Sequence, residues 1–282
     1  MACTLQAAAR LIMQTLLLES ALLGSVVGIV LGLTGAGGAI IAVPLLIFGL
    51  HLPIADAAPI ALFAVGVSAA LGALLALKQG KVRYRAASLL ALAGLAASPL
   101  GVFLAQRIPN APLTLLFATV LGYAAFHTCR KSMRNPAEYV EHSSTSCQLG
   151  PGGRLIWTWA CARRIAIAGV SAGFLSGLLG VGGGFIIVPA LQKITNLHMQ
   201  SIMPTSLAVI ALISLAGVIS AVAMRGIDWA IALPFAFGAG AGMLLVSAFA
   251  NGFTGPRLQQ GFAILAGCVS IGMIISQVQN LL

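Results

Sequence analysis

The segment GLTGAGGAIIAVP, from Gly32 to Pro44, places four glycines within seven residues in the middle of a long apolar stretch. Each glycine in a helix interior costs about 1 kcal/mol relative to alanine. No charged residue lies between Glu19 and Asp56, so the segment otherwise has the composition of a membrane span. We therefore predict a membrane helix that is interrupted at its centre.

The composition of the whole chain is that of a protein with several membrane spans. Sixty per cent of the 282 residues are apolar and 7% are charged, whereas about a quarter of the residues of a soluble protein are charged. The 15 Lys and Arg residues fall almost entirely between apolar segments, which argues against nucleic-acid binding. The apolar run after Arg10 continues through Leu33 without an A-x-A-like site, so it predicts a first span rather than a cleaved signal peptide.

The chain contains an internal duplication. A shift of 145 residues aligns the segment 24–46 with 169–191, and 11 of these 23 positions are identical, including the glycines of both runs and the prolines Pro44 and Pro189. The same offset continues without gaps over about 100 residues. A single register of this length indicates two homologous halves.

Each half is predicted to contain four apolar segments, which gives an all-α membrane protein with about eight membrane segments. The domain organisation is an N-terminal tail (1–13), repeat 1 (14–128), a polar and basic connector (129–164) and repeat 2 (165–282). The predicted segments are roughly 14–48, 53–77, 86–105, 112–128, 165–192, 200–224, 229–250 and 258–279.

The positive charges predict the orientation but leave the topology open. If every segment crosses once, 12 of the 15 Lys and Arg residues lie on one side of the membrane. If each glycine-broken segment is a hairpin, the count is again 12 against 3, although some of the residues change sides. Both arrangements place the 78–85 loop and the connector on the positive side, which is the cytoplasm. The tally does not distinguish parallel from inverted halves.

The glycines are predicted to have two different roles. Gly24, Gly28 and Gly32, like their partners Gly169, Gly173 and Gly177, are spaced by four and predict close helix packing, where alanine should be nearly tolerated. The consecutive glycines of GAGG and GVGGG would line every face of a helix, so packing does not explain them.

A broken helix inside a membrane is tolerated where it lines a polar cavity. The breaks would expose the N–H groups that open the next half-helix, near Ala39 and near Phe185, and these suit an anion. A phosphate-binding P-loop is excluded because no Lys occurs between residues 11 and 77, and a soluble dinucleotide fold is excluded by the flanking apolar spans. The pattern therefore predicts a substrate site between the two breaks.

The paired motifs GLTGAGGAIIAVPLL and GLLGVGGGFIIVPAL, with PTSLAVI and RGIDW after the second, resemble the TauE/SafE family of sulfite and organosulfonate exporters. The resemblance implies an inner-membrane permease with two four-helix repeats that moves small sulfur-containing anions. The first half departs from the pattern, with GAGGA for GVGGG and APIALFA for MPTSLAV. The predicted substrate-binding residues are Thr34, Gly35, Gly37, Gly38, Gly180, Gly182, Gly183, Gly184, Thr205 and Ser206, with Pro44 and Pro189 as support for the breaks.

Other polar residues receive more ordinary interpretations. Asp56 is predicted to stabilise a helix N-terminus, and Glu19 is either an interfacial residue or a proton carrier. His51 and His198 each follow a broken segment and are interpreted as polar residues at span ends. The five cysteines lack metal-ligand spacing and are predicted to be free thiols.

The sequence thus predicts a non-enzymatic permease or exporter of a small anion in the cell inner membrane, with no cofactor and no metal. Its expected partners are the substrate and the lipid bilayer, and a homodimer is left open. Two alternatives remain, a passive anion channel of the same fold and a membrane-embedded enzyme or anchoring subunit of a larger complex. The absence of a catalytic arrangement of residues argues against the enzyme.

Overall fold

A computed structural model describes residues 2–35, 38–80, 84–132, 147, 158–195, 199–224, 226–249, 261, 264 and 266–275. Within these residues the regular structure is entirely helical, as predicted. The helices are α1 (Ala2–Thr34), α2 (Gly38–Leu50), α3 (Ile54–Lys78), α4 (Tyr84–Arg107), α5 (Asn110–Ser132), α6 (Trp159–Leu179), α7 (Gly184–Ile194), α8 (Met199–Met224), α9 (Trp229–Phe249) and α10 (Ala266–Ile275).

Six of these helices, α1, α3, α4, α6, α8 and α9, contain stretches long and apolar enough to cross a membrane. Four shorter apolar helices accompany them, in α2, α5, α7 and α10. Large apolar side chains such as Leu92, Phe126 and Phe237 are exposed on the outside of the bundle. An outer surface of this kind is suited to lipid, because a soluble monomer rarely exposes extended apolar patches.

Some boundaries differ from the predicted ones. The first helix begins at Ala2, so the described part of the 1–13 tail continues α1, and α5 and α6 extend into the connector from both ends. Of the rest of the connector, residues 133–146 and 148–157 lie outside the described residues. The segment predicted as 258–279 is described mainly at Ala266–Ile275.

The two most extensive helix interfaces, α1–α9 and α4–α6, have glycines at points where the backbones approach closely. A Cβ on Gly28 of α1 would collide with the carbonyl oxygen of Ala239 on α9, and a Cβ on Gly173 of α6 would collide with that of Gly94 on α4. The predicted role of the ridge glycines in close packing is confirmed. The prediction that alanine is nearly tolerated there is wrong, because the added carbon would meet rigid backbone instead of a side chain that can move aside.

These contacts also define helix directions. On α3 and α8, Leu62 lies against Gly217 whereas Gly72 lies against Leu207, so the two helices are antiparallel. The α1–α9 and α4–α6 pairs are parallel, because the contacting residue numbers rise together in each pair. This is seen in the contacts Gly24–Phe235, Gly28–Ala239, Gly173–Gly94 and Gly177–Ser98.

Each glycine-broken segment is a hairpin rather than a single span. Gly38, at the start of α2, lies against Val27 of α1, and Gly49, near its end, lies against Leu23. In the second half, Gly183 lies against Ala172 of α6. The short helices α2 and α7 therefore run back along the helices that precede them.

A disulfide fixes the open end of the second hairpin. Cys147 is bonded to Cys161, in the first turn of α6, with their Cα atoms 5.2 Å apart. The N–H of Cys147 also donates to the carbonyl oxygen of Ile194 at the end of α7, over 3.2 Å. The prediction of free thiols is wrong for this pair because the hairpin returns the end of α7 to the start of α6. Cys268 is free and exposed.

Candidate functional site

The second break is formed by three glycines in the left-handed conformation. Gly180 ends α6 with φ 72°, and its N–H donates to the carbonyl oxygen of Ser176 over 2.8 Å. Gly182 and Gly183 both have φ 70°, and α7 begins at Gly184. Only glycine adopts this conformation readily, so the predicted glycine requirement at the second break follows from the backbone.

The first break follows the same plan where it is described. Gly35 has φ 73°, and its N–H donates to the carbonyl oxygen of Leu31 over 2.8 Å. Thr34, the last residue of α1, donates its hydroxyl hydrogen to the carbonyl oxygen of Val30 over 2.7 Å. The second helix resumes at Gly38, and Gly37 lies outside the described residues.

Each break lies against a helix of the other half of the chain. A Cβ on Gly35 would approach the Met203 side chain of α8 to 2.9 Å, and a Cβ on Gly180 would approach the Cα atom of Ala58 on α3 to 2.5 Å. Gly35, Gly180 and Ala58 are buried, and Met203 is half-buried. The structure therefore brings the broken segments into contact with the starts of α3 and α8.

The tip of the second hairpin enters the α3–α8 interface. A Cβ on Gly182 would lie 3.0 Å from the side chain of Val65 on α3, 3.1 Å from that of Ile210 on α8 and 3.4 Å from the hydroxyl oxygen of Ser214. Gly182 thus lies between two antiparallel helices, one from each half of the chain. No side chain at this position separates its backbone from Ser214.

Two buried serines were missed by the sequence analysis. Among the described residues, Ser176 Oγ and Ser214 Oγ are the buried side-chain oxygens that have no hydrogen-bond partner. Ser176 lies four residues before Gly180, and Ser214 faces Gly182. The available signal was a serine within an apolar span of the second half, at positions where the first half has Leu31 and Ala69.

The hydroxyls of Thr205 and Ser206, which like that of Thr34 were predicted to bind substrate, are both engaged with backbone. Thr205 donates to the carbonyl oxygen of Ser201 over 2.6 Å. The hydroxyl of Ser206 lies 3.1 Å from the carbonyl oxygen of Gly35 and 2.8 Å from that of Met203, within donating distance of both. Ser206 therefore links α8 to the backbone of the first break.

Small cavities adjoin the second break. One of about 20 Å³ lies between α3, α4, α5, α6 and α8 and includes Gly177, Gly180, Pro59 and Gln106 in its lining. A second, of about 10 Å³, is lined by Val181, Phe185 and Ile40 among other apolar residues. Spaces of this size hold roughly one water molecule at most, so neither cavity is large enough for a polyatomic anion.

Neither glycine break contains a charged residue, although Asp56 lies two residues before Ala58, which contacts Gly180. No Lys or Arg occurs between residues 165 and 192 or between 11 and 77. Asp56 lies in the first turn of α3, as predicted, and Glu19 is exposed on α1. His51 is exposed with φ 52°, whereas His198 lies outside the described residues. In the described part of the chain, no group of three or more His, Cys, Asp or Glu side chains is placed to hold a metal ion.

The remaining predicted residues belong to the half-helices. Gly184 is the first residue of α7, and it is buried. Pro44 and Pro189 lie inside α2 and α7, respectively. A proline in a helix interior cannot donate to the carbonyl one turn earlier, so each half-helix carries a second interruption of its hydrogen bonding.

An apolar helical bundle of this kind, in which each broken hairpin lies against a helix of the other half, is that of a multi-pass membrane protein. The profile described as "Sulfite exporter TauE/SafE" matches residues 20–273. The chain therefore belongs to the TauE/SafE family, as the motifs had indicated.

Relatives of the chain carry names that agree with this class. A "Probable membrane transporter protein" of Xylella fastidiosa (strain 9a5c) is 29% identical over 258 residues, covering 89% of this chain and 92% of the relative. The "Probable membrane transporter protein YunE" of Bacillus subtilis (strain 168) is 25% identical over 228 residues, covering 77% and 82%. No solved structure matches the chain significantly.

Proposed function

We propose that the protein is a permease for a small anion, with sulfite and organosulfonates as the first candidates, and that the anion binds between the two glycine breaks. The observation that carries the proposal is the meeting of the second break with α3 and α8 around Gly182. A break between these helices presents backbone N–H groups at the start of α7, and a helix N-terminus favours negative charge.

Several contacts support the further proposal that the two halves form an inverted repeat. With the 145-residue offset, Gly35–Met203 and Gly180–Ala58 are equivalent contacts, as are Gly38–Val27 and Gly183–Ala172. The α1–α9 and α6–α4 interfaces are equivalent in the same sense. Because α3 and α8 are antiparallel and would be equivalent helices, the halves would have opposite orientations in the membrane, as in many transporters.

The hairpin arrangement supports a cytoplasmic connector. With hairpins at both breaks, the side that holds the 78–85 loop, the connector, Lys193 and Arg257 carries 12 of the 15 positive residues. The Cys147–Cys161 disulfide points the other way, because disulfides are rare in the cytosol. We retain the cytoplasmic assignment because it rests on several separate groups of charges.

Counterflow in proteoliposomes tests the proposed function. Vesicles loaded with an unlabelled anion are diluted into a trace of the same labelled anion, and a carrier accumulates the label transiently whereas a channel does not. We expect accumulation with sulfite or a small sulfonate and none with a neutral sugar. Accumulation with no anion in a panel of sulfite, sulfonates, thiosulfate and sulfate would contradict the proposal.

A further inference from the structure

We propose that the hydroxyl of Ser214 donates a hydrogen bond to the transported anion at the second break, and that the site prefers monovalent oxyanions. This inference rests on the proposed function. It adds a named binding residue, an asymmetry between the two breaks and a charge class for the substrate.

The hydroxyl of Ser214 is buried in the apolar interior of the bundle. The residue is fully buried, and its Oγ is one of the two buried side-chain oxygens without a hydrogen bond among the described residues. Leaving a buried polar group unpaired costs about 1–3 kcal/mol. A ligand with an acceptor oxygen would remove this cost when it binds.

Other serines and threonines in α3 and α8 donate hydrogen bonds to backbone carbonyl oxygens of their own helix. Ser68 on α3 is equally buried, and it donates to the carbonyl oxygen of Ala64 over 2.8 Å. Ser220 and Thr205 on α8 donate in the same way to the residues four positions before them. This back-bonding is the usual solution for a serine within a helix, so Ser214 departs from the pattern of its own helix.

The Ser214 hydroxyl lies close to the second break. Its Oγ lies 3.4 Å from the point where a Cβ on Gly182 would be. Two residues further along the chain, α7 begins, and it is 11 residues long. The first amides of a helix have no acceptor within the helix, so a buried hydroxyl and a helix N-terminus lie at the same tip.

The first break has no counterpart to this hydroxyl. With the 145-residue offset, the position of Ser214 corresponds to Ala69, and that of Ser176 corresponds to Leu31. Thr34 and Ser206, which the structure describes at the first break, lie within donating distance of the carbonyl oxygens of Val30 and Gly35, respectively. The two buried hydroxyls without a partner among the described residues, those of Ser176 and Ser214, both belong to the second half of the chain.

The charge of the surroundings limits the charge of the ligand. No Lys or Arg occurs between residues 165 and 192, and the helix that carries Ser214 has none from Met199 to Met224. Neutral donors offset one negative charge far better than two in a medium of low dielectric constant. The site should therefore favour a monoanion such as a sulfonate over a dianion such as sulfate.

The test compares Ser214→Ala with Ser68→Ala in purified full-length protein. Counterflow of methanesulfonate and sulfate is measured in proteoliposomes, and thermal unfolding is measured in detergent. We expect Ser214→Ala to raise the half-saturating concentration of methanesulfonate about 10- to 100-fold, because the lost bond is to a charged group. Its unfolding temperature should be unchanged or higher, since the removed hydroxyl was unpaired. Ser68→Ala should keep the wild-type affinity.

The outcomes separate this inference from the proposed function. If the wild type transports methanesulfonate and Ser214→Ala has the same half-saturating concentration, the assignment of Ser214 is wrong while the function stands. An affinity for sulfate equal to that for methanesulfonate would overturn the monoanion preference. If the wild type transports no anion of the panel, the proposed function is wrong, and the assignment of Ser214 is overturned with it.

Discussion

At the scale of single residues, the glycines of the breaks are set apart by their backbone angles. Gly180, Gly182 and Gly183 have φ between 70° and 72°, where an L-residue other than glycine pays roughly 1–2 kcal/mol. At Gly183 the backbone of Ala172 adds a steric limit, since a Cβ would lie 2.7 Å from its carbonyl oxygen. Strain and collision thus coincide at one residue that precedes α7.

Gly183→Ala should therefore abolish transport. The new methyl group would force the α6–α7 hairpin apart and displace the first amides of α7. Transport is measured by counterflow, with the amount of inserted protein determined in the same vesicles. Gly272→Ala is the matched control, because Gly272 lies in α10 and nothing lies within 4 Å of its would-be Cβ. Normal transport by Gly183→Ala would show that the break does not require glycine.

At the scale of helices, the bundle is held by pairs that approach to backbone contact. On α6, Gly173 and Gly177 face Gly94 and Ser98 of α4, and a Cβ on either glycine would collide with a carbonyl oxygen. In a membrane, association of helices depends on this close packing, because lipid is as apolar as the side chains. We therefore expect the ridge glycines to contribute mainly to stability, and the break glycines to the proposed site.

We expect Gly173→Ala to destabilise the protein more than Gly272→Ala does. Overpacking of an interior costs about 1–3 kcal/mol, and the collision here is with main chain that cannot rotate away. The measurement is the thermal unfolding of both variants in the same detergent. Equal unfolding temperatures for the two variants would mean that α4 and α6 separate at little cost.

At the scale of the whole molecule, the helix directions determine which helix ends lie on the same face of the bundle. Because α1 and α3 run in the same direction, the end of α3 and the start of α1 lie on opposite faces of the bundle. The contacts of α9 establish this, since it is parallel to α1 through Gly24 and Gly28, and to α3 through the Phe63–Trp229 and Leu71–Gly240 contacts.

A single cysteine at Gln79 should therefore be labelled only from the cytoplasm. Gln79 is exposed just after α3, and the charges around it predict the cytoplasmic side. The substitution is made in a chain without its native cysteines and probed with an impermeant maleimide in intact cells and in inverted vesicles. Labelling in intact cells would reverse the proposed orientation.

Much of the fold was predictable because it depends on local composition. The lengths of the apolar segments predicted the helices. The glycine runs predicted the breaks and indicated the family. The hairpins were not determined, since the charge tally is the same with or without them. The Gly173 collision, the disulfide and the unpaired hydroxyl of Ser214 were also beyond the sequence, because each depends on which segments meet in space.

The disulfide has a consequence for the integrity of the chain. It joins Cys147 to Cys161 and so spans residues 148–160, the last part of the segment between the two halves. A protease that cuts the peptide backbone there would leave both halves covalently joined as long as the bond is oxidised. In a reducing medium the same cut would leave two pieces held together by noncovalent contacts alone, chiefly those of the α1–α9, α3–α8 and α4–α6 interfaces.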